Sequence, residues 1–174
     1  MENDARGVRR TGVGMMVLFW IMLLLLAGWW FRGVEQRRND PNADLVTIAS
    51  SEQATVTLKR NASGHFVAPG EIDGHAVTLL VDTGATYVSL SRSLARSLSL
   101  EPGREVTLST ANGRVSGHLA TLDSVRLGGL EAHRVAGSIH AGIDGDVVLL
   151  GMSFLDRFDI QIRGDRMVVG PPES

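Results

Sequence analysis

The stretch "LLVDTGAT", Leu79 to Thr86, runs an apolar segment straight into an aspartate that is followed at once by Thr-Gly. The "TLLV" before it shows no alternation and reads as a strand covered on both faces. A carboxylate at the end of a covered strand is costly unless something is bonded to it, so Asp82 needs a reason to be there. A turn would be one, since Asp accepts backbone N–H bonds and Gly takes positive φ. Typical residue usage puts Asp-Thr-Gly in roughly three of a hundred chains this long, so the triplet alone decides nothing.

Its surroundings say more. "VVLLGMSFL", residues 147–155, is a second apolar run into a glycine and begins 65 residues after Asp82. Between the two lies "EVTLSTANGRVSGHLATLDSVRL", with two alternating runs around Asn112-Gly113, a strong hairpin dipeptide. Asp73-Gly74 joins "GHFVAPGEI" to "HAVTLLVD" in the same way, and Gly128-Gly129 separates "LDSVRL" from "LEAHRVAGSI". "ATVTLKR" adds an earlier strand. Helix is confined to "SRSLARSL", with Ser91 as N-cap and Leu94 and Leu98 at i, i+4, and to a short "GMSFLDRF" after Gly151. The fold class is all-β with minor helix.

The front of the chain is different. "VGMMVLFWIMLLLLAGWWF", residues 13–31, is 19 residues without a charge. As a helix it covers about 28 Å, close to the roughly 30 Å of a bilayer's hydrocarbon core. Trp29, Trp30 and Phe31 sit where an interfacial aromatic belt belongs. A cleaved secretory signal needs a shorter apolar region and a small-x-small site, and the Trp residues stand where the small ones should be. The reading is an N-terminal flank over 1–12, an uncleaved transmembrane anchor over 13–31, a polar linker over 32–51 and a folded domain over 52–174. Three arginines on each side of the span (Arg6, Arg9 and Arg10; Arg32, Arg37 and Arg38) leave the orientation undecided by charge.

Several chemistries are excluded. With no cysteine there is no disulfide, thiolate metal site or Cys nucleophile; the lack also suits an oxidising compartment. His65, His75, His118, His133 and His140 show no ligand spacing, and Asp144 and Asp146 lack the further ligands of a calcium loop, so neither metal nor cofactor is expected. Ser89, Ser91 and Ser93 lie in no G-x-S-x-G elbow. An all-β chain also argues against a phosphoryl-accepting aspartate. Net charge is −2, and with no basic patch or aromatic–basic interleaving along the sequence, nucleic acid is not an expected partner.

The three segments "VDTGAT", "TANG" and "LLGMSFL", in that order, resemble the retropepsin-type aspartic proteases, and more narrowly their membrane-anchored bacterial members. The resemblance spans about residues 62–170 and implies a retropepsin-like half-barrel with a short helix near the C-terminus. It assigns Asp82, Thr83 and Gly84 to the catalytic loop, and Ala85, Thr110, Ala111, Asn112 and Gly113 to substrate binding, the last four as a flap. Leu149, Leu150 and Gly151 become support behind the loop. It implies peptide hydrolysis by two carboxylates that share one proton, one acting as base and the other as acid. Thr83 would bond across to the partner loop. The chain has one triplet where two-lobed relatives have two, so the second Asp82 must come from a second copy across a two-fold axis. Viral members often carry Asp and Arg where this chain has Thr86 and Met152, so their ion pair is missing as a pair. The bacterial members imply an inner-membrane, single-pass protein with its catalytic domain in the periplasm. Two other readings are a catalytically silent dimerisation or peptide-binding module on the same fold, and an anchored β-domain with a chance triplet.

Overall fold

The computed structural model describes residues 2–45, 55–110, 113–143 and 145–172. The elements are α1 (Glu2–Asn39), β1 (Val56–Lys59), β2 (Val67–Ile72), β3 (His75–Val81), β4 (Val88–Ser91), α2 (Arg92–Ser97) and β5 (Glu105–Thr110). They continue with β6 (Gly113–Leu127), β7 (Leu130–His140), β8 (Val147–Leu150), α3 (Met152–Leu155), β9 (Asp159–Arg163) and β10 (Arg166–Gly170). The chain divides into two units, Met1–Asn39 and Asp40–Ser174.

The first unit is α1. Its window Met15–Glu35 is 21 residues long and apolar enough to cross a membrane, with none of it buried. Apolar side chains lie exposed all round it, Leu25 at 70% and Trp29 at 76%. A window of that length, apolar on every side and exposed, has the length and composition of a membrane span. Residues 32–51, read above as linker, contain the end of α1 and a turn over residues 41–44; residues 46–54 lie outside the described residues.

The second unit is a barrel. Its strand order is β2-β3-β8-β4-β7-β6, and β2 pairs again with β6 through Gly70↔Leu127 to Ile72↔Val125, which closes the ring. β5 continues the sheet outward from β6. The β3–β8 and β4–β7 pairings are parallel. The hairpin dipeptides act where expected. Asp73 and Gly74 both take positive φ, 49° and 77°, as a two-residue hairpin turn requires. The Asp73 carboxylate also accepts from the Ser124 N–H at 2.7 Å, tying that turn to β6. Inside the ring Ile72, Leu79, Leu90, Leu122, Leu127, Val148, Leu150 and Phe154 are fully buried. Each such side chain stabilises the fold by about 1.5–3 kcal/mol.

A second, three-stranded sheet has the order β1-β10-β9. No strand is expected above for residues 159–170. The charged "RGDR" at the turn interrupts the alternation, and each strand has too few apolar residues to register as a period-2 run.

Candidate active site

β3 ends at Val81 and β4 starts at Val88, so residues 82–87 form the loop between them. The Asp82 N–H donates to the Leu150 carbonyl at 3.1 Å, and the Ala85 N–H donates back to the Asp82 carbonyl at 3.2 Å. The Gly84 N–H then reaches Oδ1 of Asp82 at 2.9 Å and fixes the direction of the carboxylate. A Cβ at Gly84 would crowd that same oxygen at 3.2 Å. Within one chain Asp82 is half-buried, while Thr83 and Gly84 are exposed. The Thr83 hydroxyl has no hydrogen bond among the described residues.

The loop rests on the end of β8 and the start of α3. Parallel pairing sets Leu80 against Leu149 and Val81 against Leu150. Gly151, buried, follows at once: a Cβ there would strike the Tyr87 carbonyl oxygen and lie 2.7 Å from that of Ala85. Only glycine lets the two backbones meet so closely. The Met152 and Ser153 N–H groups donate to the Ala85 and Thr86 carbonyls at 2.8 and 2.9 Å. Residues 85–86 and 152–153 are thus coupled through backbone bonds, with no charge on the Thr86 or Met152 side chain. Ser153 Oγ accepts from the Val88 N–H at 3.0 Å and donates to the Ala136 carbonyl at 2.7 Å, joining α3, β4 and β7.

An apolar strand thus delivers a carboxylate bonded to its own Gly N–H, with a second strand packed behind them through a glycine. The sequence model of the family described as "gag-polyprotein putative aspartyl protease" matches residues 68–157, just over half of the chain and all of this loop and its support. The structure of a retropepsin-like aspartic protease from Rickettsia conorii is similar at 33% identity and a TM-score of 0.59, over 70% of this chain and 94% of that one. The chain belongs to the retropepsin-like aspartic proteases. An uncharacterized Sinorhizobium protein from the cobV 5′ region is 31% identical over 131 residues, 73% of this chain and 56% of its own length. An uncharacterized Rickettsia prowazekii protein is 32% identical over 113 residues, 63% of this chain and 48% of its own. The chain spans about half the length of the curated relatives it matches.

In this retropepsin-like protein the β5–β6 hairpin carries Thr110 and Gly113 at its end, where the Thr110 hydroxyl donates to the Gly113 carbonyl at 2.8 Å. Ala111 and Asn112 lie outside the described residues. The half-buried side of the hairpin carries Val106, Leu108, Thr110 and Val115, and the exposed side Glu105, Thr107, Ser109, Arg114 and Ser116. β6 leaves β7 at Gly117, opposite His140. A Cβ at Gly117 would meet the Ile139 carbonyl oxygen at 2.8 Å and the His140 Cβ at 2.9 Å. No hydrogen bond joins the hairpin to residues 82–88 among the described residues, so its residues and the aspartate loop are not in direct bonded contact.

Two residues escape the sequence reading. Ser153 gives no signal, because its partners stand 65 and 17 residues away. His140 is 3% exposed and accepts from the Gly142 N–H at Nδ1, which leaves its proton on Nε2. Burial, with the Arg92 charge as a lesser contribution, pushes its pKa below the ordinary value. No group of three metal-ligating side chains occurs among the described residues.

Proposed function

We propose that this chain is a membrane-anchored aspartic endopeptidase that works as a two-fold homodimer, with one Asp82 from each copy on the axis. One observation carries the reading: the Asp82 carboxylate is aimed by its own loop, half-exposed, beside an exposed Thr83 whose hydroxyl is unbonded among the described residues. The sequence has no second Asp-Thr/Ser-Gly to complete the site, and a second copy supplies one. Two carboxylates that close cannot both ionise, so the pair holds one proton. The ionised Asp82 takes a proton from water as the water oxygen attacks the scissile carbonyl carbon. The protonated Asp82 gives its proton to the carbonyl oxygen. As the tetrahedral diol collapses, the first carboxyl passes its proton to the leaving nitrogen and a diol hydroxyl returns one to the other. Carboxylic acid and amine leave, and the pair again holds a single proton.

Thr83 hydroxyls would bond across the axis and keep the carboxylates coplanar. Ala85, Thr110, Ala111, Asn112 and Gly113 would hold an extended substrate, the apolar side of the β5–β6 hairpin covering alternate side chains. Leu149, Leu150 and Gly151 would support the loop. The apolar α1 would anchor the domains over 52–174 in the inner membrane with the catalytic part in the periplasm; two copies in one bilayer meet at high effective concentration. The test is cleavage of a peptide library by the full chain in detergent or vesicles. Asp82→Asn should lower kcat by at least about a hundred-fold while peptide binding persists. Peptide retention without cleavage by the wild-type chain would instead support the silent binding module.

A further inference from the structure

Three strands gather cations that the sequence keeps apart. In the sheet β1-β10-β9, Lys59 lies opposite Arg166 and Arg166 lies opposite Arg163. Directly opposed residues of antiparallel strands point to one face, roughly 5 Å apart. A row of three positive charges therefore crosses the outer face of this sheet, and all three residues are exposed. The inner face of the same strands is apolar, with Leu58, Met167 and Val169 buried. Among the described residues none of the three cations makes an ion pair; Arg163 reaches only the Gln161 amide oxygen, at 3.4 Å. Asp159 lies on the same face of β9 as Arg163, opposite Gly170. Asp165 in the β9–β10 turn, and Asp40 and Asp44 ahead of β1, are further acids close by in the chain, and none of these three forms an ion pair with the row among the described residues. Arg60 is engaged elsewhere, its guanidinium 4.4 Å over the Phe66 ring and donating to the Gly64 and Gly164 carbonyls. Like charges directly opposed weaken an antiparallel pair, and an anion laid against the row would relieve that.

A second observation says which anion. Asn42 is buried, and its side chain grips Lys59 from both sides: the amide donates to the Lys59 carbonyl at 2.9 Å, and its oxygen accepts from the Lys59 N–H at 2.8 Å. A further bond to the Val67 carbonyl, at 2.7 Å, holds the same amide on β2. Asn42 stands three residues after Asn39, the end of α1. Three residues of chain reach at most about 11 Å. Lys59 is thus leashed by chain length to the end of the helix that carries the candidate span.

We infer that Lys59, Arg166 and Arg163 form a docking strip for the anionic phospholipid headgroups of the membrane that holds α1, fixing which face of the protease domain meets the bilayer. This rests on the anchored reading proposed above. Each cation near an anionic surface strengthens association about five-fold, so the strip contributes on the order of a hundred-fold, and strong salt removes it because the screening length falls to about 3 Å at 1 M.

Lys59 is the chain's one lysine, which gives a site-specific readout. The full chain is reconstituted into vesicles of phosphatidylcholine alone or mixed with phosphatidylglycerol, and flotation records whether it is anchored. Acylation of Lys59 by an uncharged amine reagent is then followed by mass spectrometry. The strip predicts several-fold slower acylation in the anionic vesicles, restored by strong salt, and clearly weaker protection in the double variant Arg163→Gln, Arg166→Gln. Any slowing by the lower pH at an anionic surface acts equally on both proteins, so the strip is read as the protection that the wild-type chain shows beyond the double variant. A chain that floats with both vesicles while Lys59 reacts equally in each would overturn the strip and leave the anchor standing. Protection as large in the double variant as in the wild-type chain would overturn it too. Failure to float removes the anchor and the strip with it.

Discussion

At position 153 a hydroxyl group links three elements that meet behind the aspartate loop, and nothing near it in sequence announces this. Replacing it by Ala leaves the Val88 N–H and the Ala136 carbonyl without their partner inside the protein. The Val88 N–H is buried, and an unsatisfied buried group costs about 1–3 kcal/mol, whereas water can replace the bond at the exposed Ala136 carbonyl. Ser153→Ala should lower Tm by several degrees and reduce kcat more than it raises KM, whereas Ser153→Thr, which keeps the hydroxyl, should recover most of both. His140 leads to a second expectation at this scale. Its folded pKa lies below the unfolded value of about 6.5, so the unfolded chain takes up the proton first as pH falls. Stability is therefore complete above about 6.5 and declines below it, until pH passes the depressed folded value. Thermal melts across that range should show the slope, and His140→Gln should flatten it. Asp82 itself was legible because a carboxylate after an apolar run conflicts with burial, and such conflicts mark function. His140 was not, because its burial depends on β4, β6 and β7 meeting around it.

Among the elements, those framed by local turn chemistry could be read directly. Asp73-Gly74 and Gly128-Gly129 make hairpins through their own dihedral preferences, and Ser91 caps α2 by accepting from the Leu94 N–H at 3.1 Å. The β9–β10 hairpin escaped because its alternation is carried by few apolar residues and broken by arginines. The segment after α1 escaped for a different reason. "NDPNADL" is polar and contains a proline, the composition of a linker, yet Asn42 is buried with three hydrogen bonds to β1 and β2, and Leu45 packs against the core. The segment after α1 is therefore part of the folded domain's packing. Asn42→Ala should destabilise the folded domain by about 1–3 kcal/mol, read as a fall in Tm with the peptide-cleavage constants unchanged at temperatures well below the transition.

The whole molecule depends on relations no window of sequence contains. The β2–β6 pairing that closes the barrel joins residues more than fifty positions apart, and the row Lys59–Arg166–Arg163 spans over a hundred. The order of the three motifs, by contrast, carried the family from the sequence, through its resemblance to the retropepsin-type aspartic proteases. One Asp-Thr-Gly per chain sets the scale of the proposed function, in which a single barrel presents half of a two-carboxylate site. Mixing tests that directly. Wild-type and Asp82→Asn chains are combined in equal amounts, well above the dimer dissociation constant, and cleavage is compared with wild-type alone at the same total concentration. Random pairing leaves about a quarter of dimers with two intact aspartates, so activity should fall to about a quarter. A fall only to about half, each wild-type chain working independently of its partner, would contradict an active site shared between two copies.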